Sequence, residues 1–161
     1  MKALILFSRP IRSGKTTELE KWCAQQTSIG GFLTPDRSDV RHLLCLRNRQ
    51  YSAFELPENT AMSYTSIGRF RFANEAFQTG SEALLSDALF QDYIVVDEIG
   101  KLEMNQQKGW EPAFSQLLNL WRAGKVKGQI IAVVRDFLLA DFIAHYQPDS
   151  YKVVHHLSAI K

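Results

Sequence analysis

The chain has 161 residues, of which 45% are hydrophobic and 22% charged, and its formal charge at pH 7 is +2. This length suits one domain with a substantial core, so we predict a single domain over residues 1–161. The balance of 19 basic and 17 acidic residues does not indicate a nucleic-acid-binding surface. No apolar run approaches the roughly 20 residues that a bilayer-spanning helix needs, and the N-terminal apolar segment is short. We therefore expect a cytoplasmic protein without a membrane partner.

The first predicted elements are a strand over residues 1–7, a loop, and a helix over residues 15–26. Residues 4–7 form the continuous apolar run that is typical of a strand covered by helices on both faces. The loop that follows ends in the sequence SGKTT, residues 13–17. The order of strand, loop and helix predicts a site that binds phosphate groups.

The residue types of this loop suit the outer phosphates of a nucleoside triphosphate. Backbone N–H groups at a helix N-terminus attract anions, together with the positive end of the helix dipole. Gly14 allows the backbone to come close, Lys15 supplies a point charge, and the Thr16 hydroxyl can complete the coordination of a bridging Mg²⁺. The predicted nucleotide-binding residues are Arg12, Ser13, Gly14, Lys15, Thr16 and Thr17.

The loop departs from the common G-x-x-x-x-G-K-[ST] pattern at the first glycine. Strict spacing places Arg9 at that position. If the loop is one residue longer, Ser8 takes the role of the first glycine and residues 9–13 form an enlarged turn. The alternative to a phosphate loop is an ordinary Ser-Gly helix start, followed by a Lys-Thr pair that occurs there by chance.

Strands dominate the next part of the chain. The glycine pair in residues 29–34 indicates a place where the backbone approaches another group closely. Thr34 and Asp36 follow at the probable carboxyl end of this strand, which is compatible with a ligand site and equally with a plain turn. Residues 40–55 predict a β-hairpin inserted into the α/β scaffold, and residues 63–72 predict a further half-buried extended segment.

A strand that ends in two acids follows a helical region. Residues 93–98, YIVVDE, form a buried-strand run that ends in two carboxylates. Asp97 is the candidate to hold Mg²⁺ through its water shell, and Glu98 the candidate to polarise an attacking water molecule. Together with the SGKTT loop, this run predicts a nucleotide-binding enzyme in which Lys15 and Glu98 are catalytic and Thr16 and Asp97 bind the metal.

The remaining elements complete an α/β pattern. We predict a helix over about 110–121, a buried strand over 128–134 and a short helix over 137–146. Arg135, after the buried strand, is interpreted as a solvated strand-end arginine in preference to a catalytic finger. A last strand over 151–157 would place His155 and His156 on opposite faces, where they cannot chelate one ion. The two cysteines, Cys23 and Cys45, are expected to be buried free thiols.

Three motifs resemble those of the small phosphate-loop nucleoside-triphosphatases of the THEP1 type. They are SGKTT at 13–17, GGFLTP at 30–35 and DEIGKLE at 97–103. The family patterns are G-x-P-G-x-G-K-T-T, G-G-F-Y-T and D-E-I-G-x-x-E. The resemblance implies a three-layer, RecA-like P-loop NTPase fold with a mostly parallel central sheet and a small inserted β-hairpin. It also implies slow, broad, Mg²⁺-dependent hydrolysis of nucleoside triphosphates to diphosphate and phosphate.

Two other functions share the same motifs. A small-molecule kinase would place an acceptor hydroxyl where the water molecule sits, although a glutamate directly after Asp97 favours hydrolysis. A nucleotide-binding regulatory protein with little turnover is supported by Arg9 at the first-glycine position. The preferred base and the oligomeric state are left open by the sequence.

Overall fold

The computed structural model describes residues 2–10 and 14–160. The strands are β1 (Leu4–Phe7), β2 (Ile29–Leu33), β3 (Asp36–Arg37), β4 (Val40–Cys45), β5 (Gln50–Ala53), β6 (Glu55–Leu56), β7 (Tyr64–Ile67), β8 (Phe70–Ala73), β9 (Tyr93–Asp97), β10 (Gln129–Val133) and β11 (Tyr151–Val154). The α-helices are α1 (Lys15–Ala24), α2 (Asn74–Asp87), α3 (Lys101–Gln106), α4 (Ala113–Arg122) and α5 (Leu139–Tyr146). Two short 3₁₀ turns lie at Asp136–Leu138 and Leu157–Ala159.

The central sheet is parallel over most of its width. Its strand order is β11-β1-β10-β9-β2-β4-β3, and β5 pairs with β4. The first five strands of that order are mutually parallel, whereas β4 pairs antiparallel with β2, β3 and β5. Strand β10 therefore lies between β1, which enters the phosphate loop, and β9, which carries the acids. The carboxyl ends of the parallel strands meet at one edge of the sheet.

Helices cover both faces of this sheet. Successive side chains of a strand point to opposite faces, so Ile5 and Phe7 join one core and Leu4 and Leu6 join another. The first core contains apolar residues of α1, and the second contains residues of α2 to α5. The continuous apolar sequence of β1 follows from this double burial, and the predicted three-layer α/β fold is confirmed.

The segment between β2 and α2 contains more strand than the predicted hairpin. The hairpin itself is present as β4 and β5, with the register Leu44 opposite Tyr51. A separate three-stranded antiparallel sheet follows in the order β6-β8-β7, which we call the inserted sheet. The predicted half-buried segment forms its β7–β8 hairpin, in which Phe72 is buried but Phe70 is exposed.

The predicted close approach at the glycine pair is confirmed, and the neighbours are protein groups. The Gly31 N–H donates to Oδ2 of the buried Asp87 at 3.0 Å, and Arg47 Nε lies 3.1 Å from Oδ1 of the same carboxylate. Burial raises the pKa of Asp87, which these two contacts oppose. Gly31 has φ +84°, and an added Cβ would lie 2.0 Å from the Val95 carbonyl oxygen. Only glycine fits this position without moving the neighbouring strand.

Two details differ from the sequence-based predictions. Strand β11 ends at Val154, so His155 and His156 lie in the bend beyond it and not on opposite faces of a strand. Helix α3 was not predicted, because its six residues are too few to show a helical period. Cys23 and Cys45 are buried free thiols, as expected. Within the described residues, no helix has the length and apolar character needed to cross a bilayer.

Candidate active site

The predicted phosphate loop joins the carboxyl end of β1 to the start of α1. Gly14 has φ +79°, a conformation that favours glycine, and the Glu18 N–H donates to its carbonyl oxygen at 3.0 Å in the first helical turn. Thr16 is half-buried and Thr17 is exposed in that turn. The predicted binding residues 12 and 13 lie outside the described residues, and so does the side chain of Lys15.

Arg9, the residue at the first-glycine position, contacts the protein on both sides of the loop. Its Nη1 lies 3.2 Å from Glu18 Oε1 on α1 and 3.4 Å from His156 Nδ1 after β11. The neighbouring Ser8 is fully buried, and its N–H donates to the Val154 carbonyl oxygen at 3.0 Å. Within the described residues, Ser8 Oγ and Arg9 Nε are buried polar atoms that have no hydrogen-bond partner. Such atoms at the start of the loop are compatible with a polar ligand there.

Asp97 is held at the sheet edge by the adjacent strand. It is buried, with 4% of its surface exposed, and its Oδ2 accepts a hydrogen bond from the Thr34 N–H at 3.1 Å. The Thr34 hydroxyl donates to the Asp97 carbonyl oxygen at 3.2 Å. The sequence left Thr34 open as a ligand-site residue or part of a plain turn. The structure places it in direct contact with Asp97, the candidate metal-binding carboxylate.

Glu98 forms an ion pair with Arg135. The distance from Arg135 Nε to Glu98 Oε1 is 2.9 Å, and both side chains are half-buried, with exposed fractions of 35% and 18%. Arg135 follows the strand end and is partly exposed, as predicted, but its ion pair with Glu98 was not predicted. Its place follows from the register, because Val133 of β10 lies beside Asp97 of β9 and both chains continue past the same edge. Strand order, which is not visible in the sequence, was needed to find this contact.

Glu103 is a buried acid to which sequence reasoning gave no role. Its two carboxylate oxygens accept hydrogen bonds from the Gly100 N–H at 2.9 Å and the Trp110 N–H at 3.0 Å. Burial raises the pKa of Glu103 to about 7, although these N–H groups act in the opposite direction. The contacts join the start of α3 to the segment before α4, and so fix the chain that follows Glu98. The position of Glu103 at the end of the DEIGKLE motif was the sequence signal that could have identified it.

A cleft of about 820 Å³ opens beside the acid pair. Its lining combines the carboxyl ends of β2 and β9, the start of α3, the segment after β10, and the inserted sheet. Asp97, Glu98, Thr34 and Arg135 lie together in this lining. Among the described residues, those of the phosphate loop are not part of it.

Comparison with protein families decides the assignment. The NTPase_1 family model, described as NTPase, matches residues 5–157 and so covers nearly the whole chain. The chain belongs to the NTPase family. The matched range includes the phosphate loop, Thr34, Asp97 and Glu98, which confirms the resemblance to the THEP1 type. A search of curated proteins finds no match for this NTPase.

Solved structures support the fold of this chain. It is similar to the crystal structure of THEP1 from the hyperthermophile Aquifex aeolicus, with a TM-score of 0.66 and 16% sequence identity over 95% of this chain and 88% of the other. It is also similar to the solution structure of a human cancer-related nucleoside triphosphatase, with a TM-score of 0.61 and 17% identity over 95% of this chain and 87% of the other. At these identities the likeness establishes the α/β P-loop fold.

The oxygen groups of the candidate site fit Mg²⁺. Mg²⁺ is commonly held by one or two carboxylates, a hydroxyl and the phosphates of the substrate, while it keeps several water molecules. Asp97 supplies a buried carboxylate and Thr16 a half-buried hydroxyl on the first turn of α1. No group of three or more His, Cys, Asp or Glu side chains suited to a metal occurs within residues 2–10 and 14–160. The residue types present therefore fit a metal whose remaining ligands would be water molecules and substrate phosphates.

Proposed function

We propose that the protein is a Mg²⁺-dependent nucleoside-triphosphatase that hydrolyses NTP to NDP and phosphate. The observation that carries the proposal is the placement of Asp97 and Glu98 at the sheet edge that also receives the strand–loop–helix of β1 and α1. Membership of the NTPase family supports the nucleotide substrate and the reaction class. The two buried free thiols fit a reducing compartment, so the proposal includes a cytoplasmic location.

In this proposal the chain's own groups bind the nucleotide and orient the water molecule. Residues 12–17 surround the phosphates, with Lys15 as a point charge on the outer ones. Thr16 and Asp97 would hold Mg²⁺, which supplies charge stabilisation on the transferred phosphoryl group. Glu98 orients the attacking water molecule and accepts its proton, and the ion pair with Arg135 fixes the direction of the Glu98 carboxylate.

Phosphate release from ATP, GTP, CTP and UTP tests the proposal. We expect all four to be hydrolysed, because the loop holds the phosphates that every NTP shares, and we expect a chelator of divalent cations to abolish release. Lys15→Ala should lower release by about 100-fold, whereas Lys21→Ala, an exposed lysine on the same helix, should leave it unchanged. Release that is equal in wild type and Lys15→Ala would contradict the proposal, and NTP binding without release would favour the regulatory protein.

A small-molecule kinase is the second candidate function. The cleft beside Glu98 favours it, because about 820 Å³ is within the range of small-molecule pockets, roughly 300–1,000 Å³. A water molecule alone does not require a cleft of that size. A kinase would transfer the γ-phosphoryl group to an acceptor in this cleft, and the labelled phosphorus of ATP would then appear in that acceptor.

A further inference from the structure

We propose that the cleft beside Glu98 binds a second small molecule, a planar ring system that carries a phosphate group, of the size of a nucleoside monophosphate. The proposed site consists of two cation–ring pairs, Arg69 with Phe70 and Lys101 with Phe137, all four of which line the cleft. The proposed binding does not require NTP hydrolysis. It rests on the proposed function only in that this function places an NTP next to the ligand.

The two cations of the proposed site are available for an anion. Each is exposed, and neither forms an ion pair within the described residues. The Arg69 guanidinium carbon lies 5.0 Å from the centre of the Phe70 ring, and Lys101 Nζ lies 6.0 Å from the centre of the Phe137 ring. A ring contact restrains each cation without neutralising its charge. Phosphate oxygens are the natural partners of such groups.

Most acids that line the cleft are engaged by donors of the protein. Asp36 lies 3.6 Å from Arg41, and Glu55 accepts a hydrogen bond from the Arg41 N–H. Glu103 is occupied by two backbone N–H groups, and Glu98 is paired with Arg135. Asp97 accepts a hydrogen bond from the Thr34 N–H. Among the described residues, five of the six acids that line the cleft are thus engaged by donors of the protein, with Asp39 as the exception, whereas the cations Arg69 and Lys101 form no ion pair.

The two rings supply a surface for a planar ligand. Phe70 is 40% exposed and Phe137 is 55% exposed, and both are large apolar side chains that open into the same cleft. They come from different elements, because Phe70 begins β8 of the inserted sheet and Phe137 lies in the turn after β10. Aromatic rings bind nucleobases by stacking and tolerate any base, since every base has a π-face. Rings and cations together specify a planar phosphate ester more closely than either feature alone.

Equilibrium titration of the full chain with AMP, GMP, CMP and UMP tests the proposal. We expect saturable binding of all four, and the same affinity in Lys15→Ala, which disables the phosphate loop. Arg69→Ala, Lys101→Ala and Phe70→Ala should each weaken binding by about tenfold. The matched controls are Arg71→Ala, the next arginine along the chain, and Lys108→Ala; neither residue lines the cleft, so both variants should bind like wild type.

Competition by adenosine and by inorganic phosphate tests the ring half and the phosphate half of the ligand separately. Each should compete with AMP at least tenfold more weakly than GMP does. All altered side chains of the cleft are exposed, and an unchanged melting temperature confirms that each variant folds.

Three results of the direct binding titrations would overturn the proposal. These are the absence of saturable binding up to millimolar monophosphate, binding that is lost in Lys15→Ala, and binding that is equal in wild type and the three cleft variants. Competition by inorganic phosphate as strong as that by GMP would also overturn it, because the rings would then have no part. Phosphate release from ATP without any monophosphate is measured separately, so a failure of the proposed hydrolysis is distinguishable from a failure of this site.

Discussion

The carboxyl edge of the parallel sheet and the inserted sheet line the same cleft but are held in place differently. Strand β9 is buried from Ile94 to Asp97, and its acids are positioned by β2 and β10 on either side. In β7, by contrast, Tyr64, Ser66 and Ile67 are exposed. In the proposed function the fixed edge carries the reacting groups, and in the proposed second site the exposed sheet contributes to ligand selection.

Replacing one glycine in each region by alanine should show the largest difference between the regions, measured as loss of unfolding free energy. Gly31→Ala, in the parallel sheet, should lower the free energy of unfolding by about 4 kcal/mol or more, because the new Cβ would lie 2.0 Å from a backbone oxygen. Gly68→Ala, in the β7–β8 turn, has φ +59° and no atom within 4 Å of the new Cβ. It should cost about 1 kcal/mol. Urea unfolding measures both, and equal losses would remove the contrast between the regions.

The buried acid Glu103, which lies on the fixed side of the cleft, should make the stability of the protein depend on pH. Its folded pKa of about 7 exceeds its usual value of 4.5, so the native state binds the proton more tightly than the unfolded chain. The stabilisation is complete below pH 4.5 and is lost as pH rises to 7, a fall of roughly 3 kcal/mol in the free energy of unfolding.

Glu103→Gln, which has no charge to bury, tests this dependence. Urea unfolding at several values between pH 4.5 and pH 7 should show a clearly flatter profile for the variant than for wild type. Glu82→Gln, an exposed position on α2, is the matched control and should retain the wild-type slope. Parallel profiles for wild type and Glu103→Gln would show that Glu103 does not titrate in this range.

The ion pair at the acid edge should affect turnover more than nucleotide affinity. Arg135→Ala removes the partner that lies 2.9 Å from Glu98, and we expect a roughly tenfold lower kcat with little change in KM. Arg135→Lys should restore part of the loss. Arg122→Ala breaks an ion pair with Asp149 elsewhere on the surface and should keep the wild-type kcat. A rise in KM at constant kcat would instead assign Arg135 to nucleotide binding.

The sequence predicts the fixed region better than the inserted one, for a physical reason. Strands β1, β9 and β10 are buried on both faces, and this double burial requires apolar runs that are visible without the fold. Strands β6 to β8 have two to four residues each and little burial, so their sequence carries only a weak pattern.

The same limit applies to the candidate site. Asp97 and Glu98 were found because they directly follow an apolar run in the chain. Their contacts with Thr34 and Arg135 join residues that are far apart in sequence and depend on which strands are neighbours. Glu103 is recognisable as a capping acid only once α3 and the segment before α4 are in place.

Steady-state phosphate release and NTP binding by Glu98→Gln test whether the acid edge carries the chemistry. If the acid edge carries the chemistry, kcat should fall by at least about 100-fold while the dissociation constant for NTP stays within a few-fold of wild type. Glu82→Gln, the charge-matched control outside the cleft, should behave as wild type in both measurements. A Glu98→Gln enzyme that releases phosphate at the wild-type rate would contradict the account and place the reacting groups elsewhere.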